Sequence, residues 1–391
     1  MQHLAYRMHD AGKHKEVDPH DAADFLQDQF RDVPAGIERI RAAERFLVQE
    51  ETDSGILVSR NQTLQFWHRS FQEYLAAKAL SNLEDERPRL LFGPGGKLYE
   101  GEWRETTLLL AFLLRQQNAA RIDAFLKRML DEAESGGLLE HARCAGRIGS
   151  FLRDLRVWKY QITDERFMQY MNESLVLLSD TKAVRSVDFQ TRLEVADAWG
   201  LMGDPRLAED RKWVDVGPFR MGRYPVTVQE YAEYVRAGGT APDNWTQQLQ
   251  YPNRPVVYVD WEQASGYCRS VGGRLPTSAE WELAARCGRK GDIYPWGKAE
   301  TDEYKANTWE TGPHHATPVG MYPEGATPSG LLDMAGNVWE WCEDWYDSDK
   351  NSKTLRGGSW NYVTRGSRVS YRSRVVPTVR DISLGFRCIG E

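Results

Sequence analysis

Cysteine is scarce in this 391-residue chain: Cys144, Cys268, Cys287, Cys342 and Cys388, with no CxxC pair among them. That spacing excludes a zinc site built from cysteine pairs. An odd, scattered set reads as reduced thiols in a cytoplasmic protein. Long apolar runs are missing too. The longest, Leu108–Leu114, has seven residues, against the ~20 that span a bilayer, so no membrane-spanning helix is expected. Met1–Lys15 has no apolar stretch, so no secretory signal is visible. Positive charge is not in excess: 50 Lys and Arg face 57 Asp and Glu, a net −7 that argues against bulk attachment to nucleic acid. None of the eight histidines (His3, His9, His14, His20, His68, His141, His314, His315) forms an HxxxH pair. There is no GxxxxGK[ST]. The nearest stretch, Gly93-Pro94-Gly95-Gly96-Lys97-Leu98, has the wrong spacing and no Ser or Thr after the lysine. It reads as an ordinary turn, and ATP binding or hydrolysis is not expected.

What is present is unevenly spread. Four of the 14 tryptophans precede residue 200 and ten follow it. The first half is rich in Leu, Ala, Arg and Glu at helical spacing, whereas the second has short apolar runs broken by Gly, Pro, Asn and Asp. The boundary is placed near Gly203–Asp210. Ser54–Arg60 and Leu64–Trp67 look like a small β-wing. In Phe66–Leu80, Phe71, Tyr74, Leu75 and Ala79 fall on one helical face, which predicts an amphipathic helix with His68 buried. Helices follow at Trp103–Arg115, Ala119–Glu134, Leu138–Leu152, Asp164–Leu178 and Thr191–Met202, spaced as stacked pairs.

The piece FxHxSFQEYLAA, Phe66 to Ala77, resembles the winged-helix segment downstream of the nucleotide-binding core in NACHT/STAND signalling NTPases. The resemblance covers about residues 1–90 and implies that its aromatic residues pack into a core. Without the phosphate loop, the chain would be the downstream part of such a protein or a relative without the motor.

The second half carries ordered motifs. Phe219-Arg220-Met221-Gly222 and Tyr224-Pro225-Val226-Thr227 come first. Gly273-Arg274-Leu275-Pro276-Thr277 then leads into Ala279-Glu280-Trp281-Glu282. Gly336-Asn337-Val338-Trp339-Glu340-Trp341, Arg356-Gly357-Gly358-Ser359-Trp360 and Leu384-Gly385-Phe386-Arg387-Cys388 complete the set. Thr277 followed by Glu280 predicts a capping box at a helix start, with Trp281, Ala284 and Ala285 facing the core. So many Trp and Gly with few long strands predict rigidity from aromatic packing. These motifs resemble the formylglycine-generating-enzyme/sulfatase-modifying domain, a variant of the C-type lectin fold, over about Lys212–Ile389. The fold class is therefore α+β: an all-helical N-terminal part (winged-helix-like plus helical pairs) followed by a C-type lectin fold of the formylglycine-generating-enzyme type. The expected domains are 1–90, a helical linker domain 91–205, and 206–391.

The oxidase of that family holds copper on a cysteine pair just after RGGS. Here Tyr362 and Ser367 stand roughly where those thiols would be, and neither replaces a thiolate. Cys342 and Cys388 read as buried structural thiols. The three-histidine iron site of the related sulfoxide synthases has no counterpart. No cofactor is required. Family members hold calcium near GNVWEW, which implies a calcium site at Asn337, the Val338 carbonyl and Glu340; the alternative is a plain turn with Glu340 hydrogen-bonded internally.

Residues 361–384, NYVTRGSRVSYRSRVVPTVRDISL, contain no Lys, Glu, Gln, Met or Trp, types that make up 83 of the 391 residues. About five would be expected in 24 positions, and none by chance roughly 0.3% of the time. Between Arg365, Arg368, Arg372, Pro377, Arg380 and the closing Gly385-Phe386-Arg387 stand small, aromatic or β-branched residues. The pattern resembles the variable region of diversity-generating retroelement target proteins, in which adenines of AAC-type codons are randomised; NNC codons cannot encode those five types. The resemblance implies a variable ligand-binding set: Tyr362, Val363, Gly366, Ser367, Val369, Tyr371, Ser373, Val375, Val376, Thr378, Val379, Asp381, Ile382 and Ser383. From Arg356 to Glu391 seven Arg face two acids, which favours an acidic partner unless the arginines stack on aromatics, as expected for Arg368, Arg372 and Arg387. The expected function is that of a cytoplasmic, non-catalytic, receptor-like protein with a protein ligand, tied to a signalling or defence assembly through its helical half. The alternatives are a copper-dependent formylglycine-generating oxidase, or a scaffold module of a STAND protein.

Overall fold

The structure is a computed structural model. It describes the chain except residues 84, 85, 94, 209–211 and 391, with no side-chain account of 86–88. Pro94 of the glycine-rich turn and Asp210 of the expected boundary lie outside the described residues. Packing sorts the chain into two units, Met1–Ser135 with Asp154–Asp164, and Gly136–Arg153 with Glu165–Glu391. No described helix is long and apolar enough to cross a membrane.

The first unit contains α1 (Gln2–Asp10), α2 (Pro19–Leu26), α3 (Ile37–Asp53), β1 (Leu57–Arg60), β2 (Thr63–Phe66), α4 (Arg69–Asn82), α5 (Glu86–Leu91), α6 (Arg104–Gln117) and α7 (Ala119–Ala133). The β-wing is an antiparallel hairpin, Leu57 opposite Phe66, closed by Asn61 and Gln62 at positive φ. Helix α4 differs from expectation. Phe71 and Tyr74 are 41% and 44% exposed, and Trp67 is 68% exposed. The buried face is Gln72, Glu73, Ala76, Ala77, Ala79, Leu80 and Ser81. Helix α1 packs closely on α4, and small residues permit that approach where Phe and Tyr would hold it off. His68 is exposed, not buried, and caps the helix: its Nδ1 accepts from the Ser70 amide at 3.1 Å.

The second unit opens with α8 (Leu138–Leu155), α9 (Glu165–Ser174) and α10 (Phe189–Met202). Glycines let α8 meet α10: a Cβ on Gly149 would lie 2.2 Å from that of Ala198. Helix α10 is tied to the residues after it. Asn253 Nδ2 donates to the Ala196 carbonyl at 2.7 Å, and Arg254 pairs with Asp197 at 2.7 Å. Packing thus divides the chain elsewhere than at residues 90 and 205, which remain boundaries proposed from composition and motif.

Then follow β3 (Trp213–Asp215), β4 (Arg220–Gly222), α11 (Val228–Arg236), α12 (Trp245–Gln248), α13 (Trp261–Ser270), β5 (Gly273–Arg274), α14 (Ser278–Arg286), β6 (Trp339–Trp345), β7 (Lys353–Arg356), β8 (Ser373–Val375), β9 (Leu384–Gly385) and β10 (Ile389–Gly390). One sheet has the order β3-β4-β10-β5; the other has β8-β7-β6-β9, antiparallel except β6 with β9. Strands of two to seven residues make short ladders, so packing must supply the rigidity. Tyr231, Tyr267, Trp339, Trp341 and Phe386 form one aromatic core, and Trp281 with Met334 and Val369 another. The capping box at α14 is present, with Trp281, Ala284 and Ala285 buried. Arg274 hydrogen-bonds Glu280 and holds its carboxyl down at about 2. The cysteines depart from the reduced set expected: Cys268 and Cys388 form a disulfide across a Cα separation of 5.6 Å, joining α13 to the residue before β10. Cys144, Cys287 and Cys342 are not disulfide-bonded.

Candidate binding surface

The base of the surface is a buried ion pair. Arg387 Nη2 and Nε lie 2.7 and 2.8 Å from the two carboxylate oxygens of Glu340, and neither side chain is exposed. The Trp281 indole donates to the same carboxylate at 2.7 Å. Arg387 is therefore not stacked on an aromatic ring as expected; among the three arginines named for that role, Arg372 lies over Tyr346, 4.8 Å from its centroid. The expected calcium set does not fit the ion. The Glu340 oxygens are taken by three N–H donors, and a guanidinium occupies the place a cation would need. Asn337, fully buried, turns its Oδ1 to the Thr317 amide at 3.0 Å and its Nδ2 to the Thr317 carbonyl at 3.2 Å.

Above this base, Arg356 pins the tail. Its guanidinium donates to the carbonyls of Val369 at 3.1 Å and Tyr371 at 3.0 Å and pairs with Glu282 at 2.9 Å. Gly358, at φ +76, lets the tail approach: a Cβ there would lie 2.6 Å from Ser367 Oγ. From Tyr371 to Ile382 burial alternates residue by residue, half-buried then exposed, as in an extended chain lying on a core. Tyr362 and Tyr371 join through their hydroxyls at 3.0 Å, and both rings pack against Trp339. That hydrogen bond is the main cause of the raised Tyr371 phenol pKa.

The fourteen sequence-predicted positions separate by depth. Val363 and Val376 are each 45% exposed and Ile382 is 44%, with Thr378 exposed as well. Tyr362, Tyr371, Ser373, Val375, Val379 and Asp381 are half-buried. Gly366, Ser367, Val369 and Ser383 are buried, which corrects their assignment to a contact surface. Gly366 lies under Tyr362, Val369 fills the Trp281 core, and Ser383 bonds Asp381. A single sequence shows which types occur in this segment, not which turn inward.

Sequence reasoning missed several neighbours. Trp309, 53% exposed, donates its amide to the Tyr362 carbonyl at 3.1 Å. Glu310 accepts from the Thr364 amide and hydroxyl, each at 2.9 Å. Lys353 is held between Trp261 and Trp345, 3.8 and 4.2 Å from their centroids. No period or motif marks Trp309 or Glu310; only the chain's return beside the tail brings them there. Of the two residues that the resemblance sets near the oxidase's thiol pair, Tyr362 is engaged by Tyr371 and Ser367 is buried. Burial pushes the remaining nearby thiol, Cys342, well up. The His314 ring packs at a tilt against Trp309, whereas His315 approaches Arg254, so the two adjacent rings serve different neighbours.

The sulfatase-modifying factor enzyme 1-like domain matches residues 200–391, and a winged helix-turn-helix domain C-terminal to NACHT matches residues 1–80. The inactive C-alpha-formylglycine-generating enzyme 2 of Bos taurus is 41% identical over 150 residues, 34% of this chain and 49% of that one. The formylglycine-generating enzyme of Streptomyces coelicolor is 38% identical over 172 residues, 36% of this chain and 54% of that one. The chain spans about a third to just over half the length of the curated relatives it matches. Among solved structures, Treponema denticola variable protein 1 is 24% identical, covering 44% of this chain and 84% of that one, with a TM-score of 0.37. The chain thus joins a segment that matches the winged helix-turn-helix domain C-terminal to NACHT, residues 1–80, to one that matches the sulfatase-modifying factor enzyme 1-like domain, residues 200–391.

Proposed function

We propose that the C-terminal half is a non-catalytic recognition domain. Its segment 361–384 is diversified by a retroelement and presents a protein-binding face. The observation that carries this reading is the contrast between a fixed base and a free upper row. Arg356, Glu340 and Arg387 hold the backbone through buried bonds, while Val363, Val376, Thr378 and Ile382 stand in solvent above it. Side chains placed so can change without loss of the core. All five residue types that NNC codons cannot encode, Lys, Glu, Gln, Met and Trp, are absent from 361–384. Ten of the fourteen positions remain as contacts: Tyr362, Val363, Tyr371, Ser373, Val375, Val376, Thr378, Val379, Asp381 and Ile382.

Relatives of this domain include one named a formylglycine-generating enzyme and one named inactive, so family alone does not decide activity. The residues do bear on it: an oxidase needs two thiolates where Tyr362 and Ser367 stand. Turnover of a cysteine-containing peptide, or tight copper binding, would establish that rival. The winged-helix match supports a link from the helical half to a signalling or defence assembly. A cytoplasmic setting belongs to the same proposal and must accommodate the Cys268–Cys388 bond. Alkylation in denaturant of protein taken from its cell without reductant would label five thiols if the pair is reduced there and three if it is bonded.

The deciding experiment is deep sequencing of the locus across isolates. Substitutions confined to codons 361–384, beside a near-identical template repeat, are expected. Variation spread evenly through the domain, or no template repeat, would overturn the proposal.

A further inference from the structure

We infer that the binding face extends beyond the variable segment onto a fixed aromatic wall at Trp309, and that the completed face takes an acidic polypeptide surface carrying aromatic or aliphatic side chains. The inference rests on the recognition reading above.

The wall is built by backbone and side chain together. Besides the bond from the Trp309 amide to the Tyr362 carbonyl, the Thr308 hydroxyl meets that of Thr364 at 3.1 Å. Glu310 grips Thr364 from the same loop. Three consecutive residues outside the variable segment thus hold Tyr362 to Thr364 in place. Trp309 itself has no core to fill. Its ring rests against His314, 4.4 Å between centroids, and His314 holds a φ of +60° to meet it. A left-handed backbone is unfavourable at a non-glycine residue. Here it supports a tryptophan that is 53% exposed. Val363, 45% exposed, follows Tyr362 directly, so apolar area continues from the fixed wall into the variable row. A large, rigid ring of low rotamer entropy is the kind of group that anchors protein contacts.

Charge selects the partner. Of the seven arginines from Arg356 onward, four are matched by carboxylates: Arg356 by Glu282, Arg374 by Asp347, Arg380 by Asp260 and Arg387 by Glu340. Arg365, Arg368 and Arg372 are exposed and have no carboxylate partner among the described residues. Arg365 lies 6.0 Å from the Tyr371 ring centroid, which sets one of these cations beside the tyrosine pair. The carboxylates on the same stretch, Glu310 and Asp381, accept from Thr364 and Ser383. Neutral donors leave both carboxylates charged, so three unmatched arginines face two unmatched acids and the excess on this stretch is one positive charge.

The test uses the full chain and two synthetic probes, a random glutamate–tyrosine copolymer and a lysine–tyrosine copolymer, with binding read by interferometry at low and high salt. The acidic probe is expected to bind and to weaken as salt rises, while the basic probe does not bind. Arg365→Ser with Arg368→Ser should weaken the acidic probe about tenfold and Trp309→Ala at least fivefold, each at an unchanged melting temperature. If Trp309→Ala changes nothing while Tyr362→Ser with Tyr371→Ser abolishes binding, the face ends at the variable segment: the extension fails and the recognition reading stands. Equal binding of both probes, or none of the acidic one, overturns the acidic partner. Acidic-probe binding indifferent to the tyrosine pair would count against the recognition reading itself.

Discussion

Glu340 and Arg387, 47 residues apart, meet as a two-point ion pair with both side chains sealed from solvent. The pair ties the GNVWEW motif to LGFR and closes the sheet in which β6 lies beside β9. Taking one charge away strands the other in a dry interior. Glu340→Ala is expected to cost about 3–5 kcal/mol in urea unfolding. Joint replacement, Glu340→Leu with Arg387→Met, should cost clearly less than the sum of the single changes, because no lone charge is left.

Asp333 gives a pH-dependent term of opposite sense to an ordinary carboxylate. It is 6% exposed, and burial raises its pKa to about 6 despite the Gly320 amide, which donates to it at 2.7 Å. A raised carboxyl binds its proton more tightly folded than unfolded, so stability falls as pH rises from about 4 to about 6. Asp333→Asn keeps an acceptor and removes the charge. It should raise stability at pH 7.5 by on the order of 1–3 kcal/mol, with a smaller gain at pH 5. An equal gain at both values would contradict this assignment.

Position by position, the tail should tolerate change unequally. Substitutions at Val376, Thr378 and Ile382 are expected to stay within about 0.5 kcal/mol. Gly366→Val should destabilise by about 1–3 kcal/mol, since a Cβ there would lie 2.5 Å from Tyr362 Cδ1 and 3.3 Å from Trp339 Cη2. Val369→Asp should be worse, an unpaired charge set against Trp281. Thermal scans of a small library would rank them, and a ranking that ignores burial would show that the tail is not laid down as described.

The capping box at α14 offers a separate check. Thr277→Ala removes the acceptor for the Glu280 amide and should cost about 1 kcal/mol. Because the Glu280 carboxyl is lowered, its stabilising share is present above about pH 4.5 and is lost as pH falls toward 2. Acid titration of wild type and of Glu280→Gln should therefore converge at low pH.

Much was readable in the residues alone. The β-wing, the helical half, the α14 capping box and the tryptophan-braced C-terminal domain follow from periodicity, turn residues and ordered motifs, all of them local or strictly sequential. The unusual composition of 361–384 is likewise a property of the string. Depth is not. Phe71 and Tyr74 face solvent because a neighbouring helix selected the small-residue side of α4, a choice made between elements. Val369 sinks beneath the surface because Arg356 and the Trp281 core draw the chain down, Gly366 and Ser367 because Tyr362 and Gly358 lie against them, and Ser383 because its carbonyl takes the Trp339 amide. Cys268 finds Cys388 across 120 residues, and Trp309 reaches Tyr362 across 53, only once the chain has folded back. Residue type states what a side chain can do; the close packing of distant segments assigns it to the interior, to a neighbour or to solvent.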